Sequence, residues 1–122
     1  GISNISYGYY YGSELYNCIF YNNTAGSEGG AIYSEESYFS MENCTLAQNS
    51  AVQGNAIACN ADSYWSLGSE IDVLNSIIWD GTDSIANVDN SYFYIDYSDV
   101  QKAGTSRWTG IGNINKNPLF IN

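Results

Sequence analysis

The 122-residue sequence contains no histidine, three basic residues and a single proline. Each scarcity narrows the chemistry. Three separated cysteines without a histidine do not make a zinc site. Lys102, Arg107 and Lys116 all fall in the last fifth of the chain and face thirteen acidic residues, for a formal charge of −10. A chain so poor in cations has little with which to neutralise phosphate, which argues against nucleic acid and acidic membrane surfaces as partners. No apolar run approaches the roughly 18 residues of a helical membrane span, so membrane insertion is not expected. No leader peptide is visible and Gly1 is not an initiator Met, so the sequence reads as a mature chain or a fragment. An odd number of cysteines leaves at least one thiol free or paired between chains.

What is abundant is Tyr, Asn, Ser and Gly, the profile of a secreted β-protein with many tight turns. Within it one quartet recurs. Asn17-Cys18-Ile19-Phe20 returns as Asn43-Cys44-Thr45-Leu46, as Asn75-Ser76-Ile77-Ile78 and, altered, as Tyr97-Ser98-Asp99-Val100. Two residues before each quartet stand Leu15, Met41, Val73 and Ile95, all apolar. The second position is always small, and the fourth, Phe20, Leu46, Ile78 or Val100, is apolar again. These positions cannot share one face of a continuous strand, because side chains alternate with period two. A corner at the first residue resolves the parity: one strand ends, the chain bends, and the next begins with its own inward set. Asn suits such a corner because it tolerates left-handed backbone. Stacked Asn17, Asn43 and Asn75 are expected to bond through their amides as a ladder.

The quartets lie 26, 32 and 22 residues apart, from 17 to 43, 75 and 97. Such periods indicate a solenoid, propeller or array. The chain is too poor in Leu for a leucine-rich repeat, and the variable period suggests fixed strands joined by loops of variable length. One domain over residues 1–122 is expected, with rungs starting near 17, 43, 75 and 97, then a C-terminal loop and end strand over 102–122. Ile2, Ile32 and Ile57 sit in similar contexts, and Asn49 stands at the offset of Asn23, so a second corner is expected to carry its own Asn stack. Cys59 aligns with Ser34. The cluster Tyr7-Gly8-Tyr9-Tyr10-Tyr11-Gly12 reads either as an adhesive surface for a partner chain or sugar, or as a loop covering an end of the solenoid. The segment from Asn60 to Gly68, with Tyr64, Trp65 and Leu67, absorbs the extra length of the longest rung.

Gly29-Gly30-Ala31-Ile32-Tyr33, Asn43-Cys44-Thr45-Leu46 and Asn75-Ser76-Ile77-Ile78-Trp79 resemble the repeats of right-handed parallel β-helix proteins related to polymorphic outer-membrane proteins. The resemblance implies an all-β fold, a short right-handed parallel β-helix of about four to five rungs. It also implies an extracellular or cell-surface location, and many such proteins have no known activity. The same fold hosts pectate lyases and polygalacturonases. The former look like they need a basic residue beside calcium-holding carboxylates, and the latter use histidine with clustered Asp. Neither set is present before residue 102, so no enzyme activity is expected and no cofactor is called for.

Several residues remain as candidates. Asp80, Asp83, Asp96 and Asp99 form two pairs that oxygen-seeking calcium could use, although turn and corner roles explain them more simply. Cys18 and Cys44 share a column. Neighbouring strands at about 4.8 Å would permit a disulfide, and two small buried hydrophobes is the plainer alternative. Asn4 and Asn22 open glycosylation triplets; Asn43 opens a third but is expected inward or in the corner stack. The open ends of a β-helix template further strands unless capped. Copies of the chain itself are therefore the expected partner, in a head-to-tail filament, sheath or surface layer, with Leu119, Phe120 and Ile121 at the contact. A carbohydrate-binding or carbohydrate-active module, with glycans as partner, and a fragment of a larger adhesin are the alternatives.

Overall fold

A computed structural model describes residues 1–5, 12–60, 68–87, 91–101 and 110–121. Among them there are twelve strands and no helix. In chain order these are β1 (Ile2–Ile5), β2 (Ser13–Tyr16), β3 (Ile19–Tyr21), β4 (Ile32–Glu35), β5 (Tyr38–Glu42) and β6 (Thr45–Ala47). They are followed by β7 (Ile57–Asn60), β8 (Glu70–Leu74), β9 (Ile77–Trp79), β10 (Ile85–Asn87), β11 (Tyr92–Asp96) and β12 (Asp99–Val100). Every third strand joins the same sheet. The first sheet is β1-β4-β7-β10, the second β2-β5-β8-β11 and the third β3-β6-β9-β12. All pairings between named strands are parallel. The chain is therefore a β-solenoid: four layers, each with one strand per sheet, connected by about three turns. The first layer carries all three strands, β1, β2 and β3.

The register follows the repeat columns. Leu15 pairs with Met41, Met41 with Val73, and Val73 with Ile95. Phe20, Leu46, Ile78 and Val100 form a second column in the same way. Ile2, Ile32, Ile57 and Ile85 form a third, and Ser34 opposes Cys59 as the alignment requires. Ile32, Phe39, Met41, Leu46, Ile57, Ile71, Ile78, Ile95 and Val100 are buried at the centre. Alternation places one inward set on each short strand, and stacking identical columns gives apolar side chains continuous contact along the axis.

The corners explain the parity change. Asn17, Asn43, Asn75 and Tyr97 have φ of 55°, 55°, 48° and 49° and each is followed by one residue before the third-sheet strand. A single left-handed residue turns the chain sharply enough to reset which side faces inward. Its own side chain is thereby thrown outward. Asn17, Asn43 and Asn75 stack in register but are solvent-exposed, and none makes a side-chain hydrogen bond among the described residues. The buried amide ladder expected at these residues is therefore corrected, and so is the inward placement of Asn43.

Ladders exist one residue further on and at the other two corners. After the Asn corner, Cys44 N–H donates to Ser76 Oγ at 3.1 Å, Ser76 N–H to Ser98 Oγ at 3.0 Å, and Ser98 N–H to Asn113 Oδ1 at 3.0 Å. Between the first and second sheets Ser37 N–H donates to Ser69 Oγ, and Ser69 N–H to Ser91 Oγ. After the third sheet Asn23 donates its backbone N–H and its Nδ2 to Asn49 Oδ1, at 3.0 and 2.9 Å. Asn49 N–H then donates to Asp80 Oδ1 at 2.7 Å, and Asn49 Nδ2 to Asp80 Oδ2 at 3.1 Å. The expected stack of Asn23 on Asn49 is thus present, with Asp80 continuing it. At the return to the first sheet Gly29 and Gly54 hold φ of 63° and 62°, and a Cβ there would strike the carbonyls of Ile32 and Ile57.

Among the described residues of 102–122 there is no end strand. Ile114 makes a lone parallel bridge to Asp99, and 115–121 is irregular. The Tyr-rich loop 6–11 and the segment with Tyr64, Trp65 and Leu67 lie outside the described residues, as do Lys102 and Arg107.

Asn49 is buried and joins three layers, whereas Asn43 is an exposed left-handed corner. Asn49→Ala strips the Asn23 N–H and Nδ2 of their acceptor and Asp80 Oδ2 and Phe20 O of a donor, a loss of about 2–3 kcal/mol. Asn43→Ala bears only the left-handed strain, about 1 kcal/mol. Chemical denaturation of the two variants should show the larger drop for Asn49→Ala, and equal midpoints would contradict the ladder assignment.

Candidate functional site

The groups most able to do chemistry are carboxylates, thiols and exposed apolar side chains. The four candidate calcium carboxylates are each occupied by backbone amides. Asp80 accepts from Asn49, Asp83 Oδ2 from Gly54 N–H at 3.3 Å, Asp96 Oδ1 from Ile111 N–H at 2.7 Å, and Asp99 Oδ1 from Lys116 N–H at 3.0 Å. Among the described residues no three acidic or cysteine side chains gather as a metal site. Two of these carboxylates, Asp96 and Asp99, fasten the C-terminal segment beneath the last layer. Tyr97 N–H to Ile111 O, Val100 N–H to Ile114 O and Ile114 N–H to Ser98 O complete that attachment.

Among the described residues Asp80 is the one buried carboxylate. Burial pushes its pKa above the ordinary carboxylate value, and the two hydrogen bonds from Asn49 pull it part of the way back. The local signal for this role was Asn23 and Asn49 at a common offset, with Asp80 one residue early in the shorter third rung.

Cys18, Cys44 and Cys59 are all free thiols. Cys18 and Cys44 do share a column, but each thiol points to a carbonyl: Cys18 Sγ lies 3.3 Å from Tyr16 O, and Cys44 Sγ 3.3 Å from Glu42 O. The candidate disulfide is thus not formed, and the pair packs as small half-polar residues. Cys44 and Cys59 are buried, and burial raises the pKa of both, in Cys59 very strongly. Neither has the electropositive surroundings that make a thiol a nucleophile.

Asn22 is exposed at a corner with φ of 57°, and Thr24 beside it is exposed, so that glycosylation triplet is accessible. The Asn4 side chain is outside the described set. Leu119 and Ile121 are 75% and 98% exposed, with Phe120 at 46%, in the irregular C-terminal segment. At the opposite end of the stack Leu15, Cys18 and Phe20 are only partly buried, whereas Met41, Cys44 and Leu46, one layer in, are fully buried.

Residues 17–35 match the Chlamydia polymorphic membrane protein repeat. That stretch holds the first Asn corner, β3, the second corner, the Gly29 turn and β4. The matched repeat and the parallel solenoid together fit a β-helix protein with repeats like those of polymorphic membrane proteins. No curated protein and no solved structure matches the chain.

The raised pKa of Asp80 has a defined consequence for stability. A carboxyl that holds its proton more tightly when folded adds stability that is fully present below its unfolded pKa and is lost as pH rises through the folded one. The stability of the native protein minus that of Asp80→Asn should therefore grow as pH falls from neutral into the acid range. Parallel denaturation curves of the two proteins at several pH values would measure this, and a constant difference would contradict it.

Proposed function

We propose that this chain is a non-enzymatic structural protein of the cell surface or outer membrane, whose solenoids join end to end into a filament, sheath or layer. The match to a membrane-protein repeat supports the surface setting. The observation that carries the assembly is the state of the two ends. Core columns run into solvent at Leu15, Cys18 and Phe20, and β1, β2 and β3 are edge strands of their sheets. Such edges accept further parallel strands. At the far end Leu119, Phe120 and Ile121 expose a run of apolar side chains that an isolated domain gains little by displaying. Seating that run on a neighbour's open layer buries both surfaces. The contact is heterologous, so repetition yields an open fibre and not a closed ring.

The surface chemistry does not favour catalysis. Asp80, the carboxyl whose pKa burial raises, is inside the Asn ladder, and the Cys44 and Cys59 thiols are buried with raised pKa.

Sedimentation velocity and electron microscopy of the intact chain, beside a variant lacking residues 118–122, test the reading. The intact chain should polymerise at high concentration and moderate salt, and the shortened one should remain soluble and monomeric. Polymers of the same kind from the shortened chain, or a monomeric intact chain, would overturn it.

A further inference from the structure

The outer face of the second sheet is distinct from both ends. Its outward positions run in register down β2, β5, β8 and β11. One column reads Glu14, Ser40, Asp72, Tyr94, the next Tyr16, Glu42, Leu74, Asp96, and Glu70 stands between Tyr38 and Tyr92. Five carboxylates and four tyrosines therefore share a face of four strands. Within each column no carboxylate directly opposes another; a serine, a leucine or a tyrosine always intervenes. That spacing limits the repulsion between directly opposed like charges on neighbouring strands while keeping the charge on one surface. Among the described residues no Lys or Arg makes an ion pair with this face, and the Glu42 carboxylate accepts no hydrogen bond.

The face is not flat. A groove of about 320 Å³ crosses it, and Tyr16 and Tyr94 are among its lining residues. Leu74 also lines it, opposite Glu42 on one neighbouring strand and Asp96 on the other. Each is one strand spacing away, about 4.8 Å, and Asp72 is two residues along the same strand, about 6.7 Å. A lining that combines Leu74 with three carboxylates and two tyrosines suits a ligand with an apolar stem and a flat or compact cationic head. Asp72 is held in place by the Tyr38 hydroxyl, which donates to its Oδ2 at 2.9 Å. Tyr16 and Tyr94 are 53% and 46% exposed, so their rings are available to stack.

We propose that this groove docks an extended basic segment of a partner protein, with an arginine side chain seated over Leu74. Guanidinium pairs with carboxylates through its planar fork and stacks on tyrosine, whereas neutral sugars would draw on the rings alone. Charge complementarity carries the choice, because the chain bears −10, this face holds five of its thirteen carboxylates, and among the described residues no cation pairs with them. The site lies on the flank of the solenoid and goes beyond the end-to-end reading.

The test uses the full chain and a short peptide of alternating Arg and Ser, titrated calorimetrically at low and high salt. Two comparison ligands are a Glu-Ser peptide and a neutral oligosaccharide. The Arg peptide should bind, more weakly at high salt. The double variant Glu42→Gln, Tyr94→Ala should bind it about tenfold more weakly. Tyr21→Ala, on the third sheet, should bind it as the native chain does. Sedimentation of the double variant should match the native chain, which separates this site from the assembly contact. Equal binding by native chain and double variant would reduce the effect to bulk charge and overturn the proposal. Binding of the oligosaccharide in place of the Arg peptide, or of neither, would overturn it as well.

Discussion

Every turn of a narrow solenoid leaves backbone N–H groups at its corners, where the strand ladders stop. A buried donor without a partner costs about 1–3 kcal/mol, and this chain has three corners per turn. The fold depends on how those donors are met. At each corner the oxygen of a serine, asparagine or aspartate in the next layer accepts the hydrogen bond: Ser69 and Ser91, Ser76 and Ser98, Asn49 and Asp80. The small polar residues that dominate the composition are therefore structural parts of the interior edge. Ser34, Ser37, Ser69, Ser76, Ser84, Ser91 and Ser98 are all buried.

The inward columns were readable because each layer repeats the same chemistry at the same offset. Leu15, Met41, Val73 and Ile95 differ in identity but not in volume class, and stacking enforces that. The Asn corner was readable as a left-handed turn from the change of parity. What could not be read was the direction of its side chain. A positive φ turns Asn43 outward and leaves the next residue, Cys44 or Ser76, to face the corner amide. Columns alone do not distinguish these neighbours, since both repeat equally well.

The outward positions were overlooked for a related reason. Tyr16, Glu42, Asp72 and Tyr94 vary from layer to layer, so a search for repetition passes over them. Their pattern exists only once register and facing are known, because it runs across strands about 20 to 32 residues apart in the chain. The acidic pairs misled in the opposite way. Asp80 with Asp83, and Asp96 with Asp99, are close in sequence, but each accepts from a separate backbone amide, those of Asn49, Gly54, Ile111 and Lys116. The apolar run Leu119-Phe120-Ile121 has strand-like composition, yet the last described bridge ends at Ile114.

The corner ladders all point one way: the N–H of one layer donates to the side chain of the layer that follows it in sequence, from Asn23 to Asn49 to Asp80 and from Cys44 to Ser76 to Ser98. A ribosome releases the layers in that same order. At every moment of synthesis the newest layer has donors awaiting residues not yet translated, while the older layers behind it are complete. The leading edge of the nascent solenoid is thus held open until the next acceptor arrives, as Asn113 does for Ser98. A ribosome that stops within the stack leaves a trailing body that is finished and a front that is not, the state from which a cell has most reason to clear the chain.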